Sequence, residues 1–109
     1  PFLDTGMREA AEQACSLMKV LANPDRLLIL CQLSQGELRV GELEERLGIV
    51  QPTLSQQLTV LRTQQLVTTR REGKHIFYTL ADRHVADLLT NVLAHASEDR
   101  HSHEEDDEP

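Results

Sequence analysis

Apolar positions along this chain follow two periods, and the switches between them predict the elements. Met7, Ala11, Ala14, Met18 and Leu21 recur three and four apart, which predicts a first helix over 7–21 with one apolar seam bordered by Cys15. That seam suits packing on its own domain or on a second subunit. Asn23-Pro24 breaks the run. A second helix starts at Pro24-Asp25, and its stretch from Leu27 to Leu33, which holds Cys31, is so apolar that it belongs at the centre of the core. Gln35-Gly36 ends it. Val40, Leu43 and Leu47 predict a short third helix, with Gly48 just past its end, where a left-handed residue closes a helix.

Ile49-Val50 leads into a fourth helix predicted over 51–62. Leu54, Leu58 and Leu61 mark its buried face, while Thr53, Ser55, Gln56, Gln57 and Thr59 make the opposite face polar and uncharged. Pro52 suits the first helical turn, where a missing N–H costs nothing. The period then shortens to two. Leu66 to Arg71 and His75 to Leu80 predict two strands around a Glu72-Gly73-Lys74 turn, with Ile76, Tyr78 and Leu80 on one face and Phe77 opposite. Asp82 is a candidate N-cap for a last helix ending near Ser97, striped by Val85, Leu88, Leu89, Val92 and Ala96. Residues 99–109 carry no apolar side chain to anchor them and are expected to be largely disordered when free.

The elements read α-α-α-α-β-β-α, a mainly helical fold with one small β-hairpin. One domain spans 1–98, followed by an acidic tail over 99–109 that bears His101 and His103. A short helix, a glycine-containing turn and a polar-faced helix form a helix-turn-helix, and a hairpin placed after it is a wing.

Charge at first argues against a nucleic-acid partner, because the formal net charge is −7. The imbalance is local. Residues 98–109 hold seven acids and one Arg, whereas Gln51 to His75 holds four bases and one acid. Gln, Ser and Thr side chains can pair with base edges, and lysine and arginine with phosphates. Gln51, Thr53, Ser55, Gln56 and Thr59 are therefore candidate DNA contacts. Ser55 and Gln56 are placed to read bases, and Thr53, Arg62, Arg70, Arg71 and Lys74 to hold phosphates. The plain alternative is a solvated helix beside an ordinary charged hairpin.

Two cysteines without a CxxC spacing predict a reduced, cytoplasmic protein. No signal peptide and no apolar run of about 18 residues points to export or a membrane span. No nucleophile–base pair, phosphate loop or cofactor signature suggests an enzyme.

The last helix carries a further constellation. His84 and His95 lie within about 20° of one face but about 16 Å apart along the axis, so one helix cannot bring both to one ion. His95 and Glu98, three apart, can share one. If two such helices pack antiparallel across a two-fold axis, Asp82 and His84 of one meet His95 and Glu98 of the other. Two imidazoles and two carboxylates suit Zn²⁺ or Co²⁺. Ni²⁺ is a third candidate and prefers more ligands, which His101 and His103 would supply. The plain alternative is a set of polar surface groups.

The segments ANPDRLLIL, GELRVGELEERLGIVQPTLSQQLTVLR, LVTTRREGKHIFYTL and DRHVADLLTNVLAHASE resemble the ArsR/SmtB family of winged-helix repressors over roughly residues 10–98. The resemblance implies a homodimer built from the first and last helices, operator DNA as partner, and repression relieved by an inducer. Asp82, His84, His95 and Glu98 match the last-helix metal-site pattern of the branch that senses Zn, Co or Ni. Two departures bear on the inducer. The family's Cys-x-Cys in the third helix is replaced by Leu38-Arg39-Val40-Gly41, which removes the thiolate site for arsenic, cadmium or lead. Cys31 resembles a cysteine of the family's persulfide and redox sensors, but Val50 stands where those have Gly, and Ala96 and Ser97 stand where their second cysteine falls. In a thiol-sensing reading, Cys15 would have to partner Cys31.

Overall fold

A computed structural model describes residues 5–106, with side chains described for 6–98. The order is α1 (Thr5–Leu21), α2 (Pro24–Leu33), β1 (Leu38–Arg39), α3 (Val40–Leu47), α4 (Thr53–Thr63), β2 (Val67–Glu72), β3 (His75–Leu80) and α5 (Arg83–Asp106). This is a winged helix-turn-helix, with five helices and one antiparallel sheet in the order β1-β3-β2.

Local chemistry sets most boundaries. The Asn23 side chain accepts the Arg26 N–H at 3.0 Å, capping α2 beside Pro24. Glu42 accepts the Arg39 N–H at 3.0 Å and so ties down the start of α3. Gly48, at φ +70°, closes α3 in the left-handed region that a side chain disfavours. Asp82 Oδ1 accepts the Val85 N–H at 3.1 Å, the cap expected at the start of α5.

Three boundaries differ from the sequence expectations. The fourth helix begins at Thr53 and not at Gln51, with Pro52 at its N-cap. Gln51 contributes from outside instead, its Oε1 accepting the Ser55 N–H at 3.1 Å. A two-residue strand, β1, pairs Leu38 with Tyr78 and Arg39 with Phe77, so the hairpin is two strands of three. Helical backbone in α5 continues to Asp106, through most of the stretch expected to be disordered when free; residues 107–109 lie outside the described residues.

The core forms where these elements meet. Ile29, Leu30 and Leu33 of α2 pack with Leu43 of α3, Leu54, Leu58 and Leu61 of α4, Val67 of β2 and Leu89 of α5. The apolar α2 is central, as its composition implies. The outer helices divide their apolar residues. On α1, Leu17, Val20 and Leu21 pack against the core, while Ala11, Ala14 and Met18 of the sequence-derived seam are exposed, Met18 by 65 %. On α5, Val85 and Leu89 turn inward, while Leu88, Val92 and Leu93 remain exposed. Among the described residues, no helix is long and apolar enough to cross a membrane.

Leu54→Ala removes a fully buried side chain at the centre of this packing. It should lower the unfolding free energy by about 2–5 kcal/mol, measured by urea denaturation at fixed protein concentration. A change below about 1 kcal/mol would mean that α4 is not seated as described.

Candidate DNA interface and metal-ligand pairs

With Leu54, Leu58 and Leu61 buried, the rest of α4 has only one direction to face. Ser55, Gln56 and Thr59 are exposed, and Thr53 is partly so. A short ladder orders this face. Ser55 Oγ donates to Gln51 Oε1 at 2.5 Å, and Thr59 Oγ1 donates to the Ser55 carbonyl at 2.9 Å. Gln51 must present its oxygen here, because a backbone N–H can only donate. Its amide NH₂ is left for a base edge or phosphate. Gln57 turns the other way: its Oε1 accepts from Arg26 Nη1 at 2.9 Å. Arg26 also donates its Nε–H to the Val20 carbonyl at 2.6 Å, so one guanidinium joins the end of α1 to α4. Sequence periodicity carries no signal for this contact, which spans 31 positions.

The bases flanking α4 fall into two groups. Arg62, Arg71 and Lys74 are exposed, and their side chains have no ion-pair or hydrogen-bond partner among the described residues. Arg70 is engaged. Its guanidinium grips Glu37 through two N–H groups, donates Nη1–H to Glu72 at 2.8 Å and lies 4.4 Å over the Phe77 ring. These hydrogen bonds raise the Arg70 pKa further above its already high value, and the bond from Arg70 is the main cause holding Glu37 below the usual carboxylate range. Sequence reasoning missed Glu37, and nothing in its neighbourhood could have revealed a partner in the wing. Glu42 is likewise lowered, chiefly by the Arg39 backbone N–H. Arg39 Nη1 also approaches His75 Nδ1 at 3.3 Å.

The last-helix constellation separates into two pairs within one chain. His84 Nδ1 lies 3.8 Å from Asp82 Oδ1 at the start of α5, and both side chains face solvent. His95 and Glu98 are exposed three residues apart, more than two helical turns further on. On a helical wheel His84 and His95 border the exposed Leu88, within roughly 40° of it. Among the described residues no three His, Cys, Asp or Glu side chains gather in one chain. The donor types suit a divalent cation, but only if a second copy completes the set. The His101 and His103 side chains lie outside the described residues.

Cys15 is exposed on α1, and Cys31 is half-buried in α2; both are free thiols. Burial pushes the Cys31 thiol up, which lowers its thiolate fraction and its reactivity.

An exposed, uncharged polar helix face beside a hairpin with free bases defines a helix-turn-helix DNA-binding regulator. Comparison with known proteins agrees. Residues 23–69 match the model of the bacterial regulatory protein, arsR family. A biofilm growth-associated repressor of Agrobacterium fabrum is 52 % identical over 88 residues, 81 % of this chain and 75 % of that protein. The transcriptional regulator NmtR of Mycobacterium tuberculosis is 46 % identical over 88 residues, 81 % of this chain and 73 % of that one. The solution structure of a homodimeric winged helix-turn-helix DNA-binding domain from Mycobacterium bovis superposes with a TM-score of 0.75 at 35 % identity, covering 87 % of this chain and 88 % of that one. The chain belongs to the ArsR/SmtB family of winged-helix transcriptional repressors, whose members are regulators and not enzymes.

Glu37 and Glu42 both have folded pKa values below their unfolded ones. They therefore add stability above the ordinary glutamate range, and that stability is lost as pH falls through the lower, folded values. Glu37→Gln should accordingly lower the urea midpoint at pH about 7, with the deficit shrinking as pH is taken below the ordinary glutamate range. A deficit that does not shrink as the solution is acidified toward the limit of folding would refute the Glu37–Arg70 pairing.

Proposed function

We propose that this chain is a metal-responsive repressor that binds palindromic operator DNA as a homodimer and leaves it when Zn²⁺ or Co²⁺ binds between the last helices. The observation that carries the metal half is the placement of donors on α5: an Asp82–His84 pair and a His95–Glu98 pair lie beside an exposed apolar face, too far apart to share one ion within a chain. Leu88, Val92 and Leu93, together with Met18 on α1, supply surface that a second copy would cover. The homodimeric M. bovis relative supports that assembly.

In the dimer, two α4 helices would enter successive major grooves. Ser55 and Gln56 would read bases, with Gln51 and Thr59 beside them, while Thr53, Arg62, Arg71 and Lys74 would touch phosphates. With the two α5 helices antiparallel, Asp82 and His84 of one protomer and His95 and Glu98 of the partner subunit would hold the ion, with His101 and His103 as further donors for Ni²⁺. A bound cation adds positive charge that bridges the two donor pairs, and its affinity requires deprotonated imidazoles. Induction requires only that the dimer binding metal best differ from the one fitting DNA best. The coupling is reciprocal, so DNA would weaken metal binding by the same factor, typically about 1–3 kcal/mol.

The relatives' names do not fix the inducer. A second reading makes the thiols the sensor, favoured by the exposure of Cys15. Against it stand the raised pKa of Cys31 and the missing late cysteine.

A DNA-release titration separates the two. His95→Ala should keep operator affinity and lose release by Zn²⁺, whereas a Cys15→Ser, Cys31→Ser double variant should release normally. Zinc-driven release that survives His95→Ala would reject the assigned site. Loss of release in the double variant would favour the thiol reading.

A further inference from the structure

The wing carries three bases, and they are not equivalent. Arg70 has three of its five guanidinium N–H donors engaged: Nε and Nη2 donate to the two oxygens of Glu37, Nη1 donates to Glu72, and the flat face covers the Phe77 ring. Phe77 is opposite Arg70 across the β2–β3 ladder and opposite Arg39 across β1–β3. Residues directly opposite share a sheet face, so Arg70, Phe77 and Arg39 lie on one side of the sheet. Tyr78, which packs against the core, lies on the other. Glu37 belongs to the loop between α2 and β1, 33 residues before Arg70. The fork therefore ties the wing to the loop leaving the core helix.

To offer a phosphate the paired Nε and Nη2 donors of its fork, Arg70 would have to leave Glu37, exposing that acid where the duplex approaches. The cluster as it stands carries two acids and one base, so it draws no polyanion. Arg71 and Lys74 are free of such ties among the described residues. A bidentate fork that also stacks on an aromatic ring is a role lysine cannot fill, whereas at a phosphate lysine serves as a point charge.

We propose that Arg70 is a positioning residue anchored by Glu37, which sets the angle of the wing, and that the wing's phosphate contacts fall to Arg71 and Lys74. This rests on the reading of α4 and the wing as the DNA interface. It also reverses a simple electrostatic expectation, because it makes an acid, Glu37, favourable to DNA binding.

The test uses the full chain and a duplex that the unsubstituted protein enriches from a randomised pool. Affinity is measured over a salt series for Arg70→Lys, Arg70→Ala, Arg71→Ala and Glu37→Gln, each shown to be folded by thermal unfolding. Arg71→Ala should reduce the slope of log affinity against log salt by about 0.9 per lost contact, hence about 1.8 for the two copies in a bound dimer. Arg70→Lys, Arg70→Ala and Glu37→Gln should each weaken binding several-fold with the slope unchanged. Full affinity in Arg70→Lys, a slope reduced by about 1.8 in Arg70→Ala, or tighter binding by Glu37→Gln would overturn the proposal while leaving the DNA reading intact. Failure of the unsubstituted protein to enrich any duplex would overturn both.

Discussion

The burial of three leucines on α4 is the constraint on which the rest of this molecule depends. Leu54, Leu58 and Leu61 are each at most 2 % exposed, seated with the apolar residues of α2 and α3. A helix buried along one row has no freedom to rotate about its axis, so its opposite row is fixed with respect to the fold. Ser55, Gln56 and Thr59 occupy that row. Hydrophobic packing, which carries no sequence information about DNA, thereby decides which side chains are available to a duplex. The left-handed turn at Gly48 ends α3 ahead of this helix, and the Arg26–Gln57 hydrogen bond ties its middle to α2.

A second division of labour runs through the outer helices. Each of α1 and α5 gives part of its apolar surface to the core and keeps part exposed. Chain-internal folding and the assembly expected of a family with homodimeric members thus draw on different flanks of the same two helices. The proposed ligand pairs border the exposed flank of α5, and this would make a metal-bridging surface and a subunit-packing surface one and the same.

Much of this architecture was legible in the sequence, because strongly periodic segments report burial directly. The α2 run, the leucine row of α4 and the alternation in β2 and β3 placed those elements within two residues of their observed bounds, and glycines marked the turns. The misses have physical causes. β1 is two residues long, too short to alternate visibly. The α4 boundary moved because Gln51 caps the helix from outside through its side chain. Periodicity shows that a stripe is apolar but not which partner covers it, so the split of the α1 and α5 stripes was out of reach. Charge counts treat all bases alike, and Arg70 was grouped with Arg71 and Lys74 because its partner, Glu37, is close only in space.

The uncharged outward row of α4 has a consequence for how such a protein searches a genome. Attachment to arbitrary duplex depends on cations displacing counterions, and the proposed interface brings three uncommitted ones per chain, Arg62, Arg71 and Lys74, in a protein whose net charge of −7 lies almost wholly in its last twelve residues. Under the proposed function, so small a set of free cations would make its residence on random sequence brief. Most copies would then stay off the bulk of the chromosome, and occupancy of a true site would be governed by hydrogen bonds to base edges, which ionic strength affects far less than phosphate contacts.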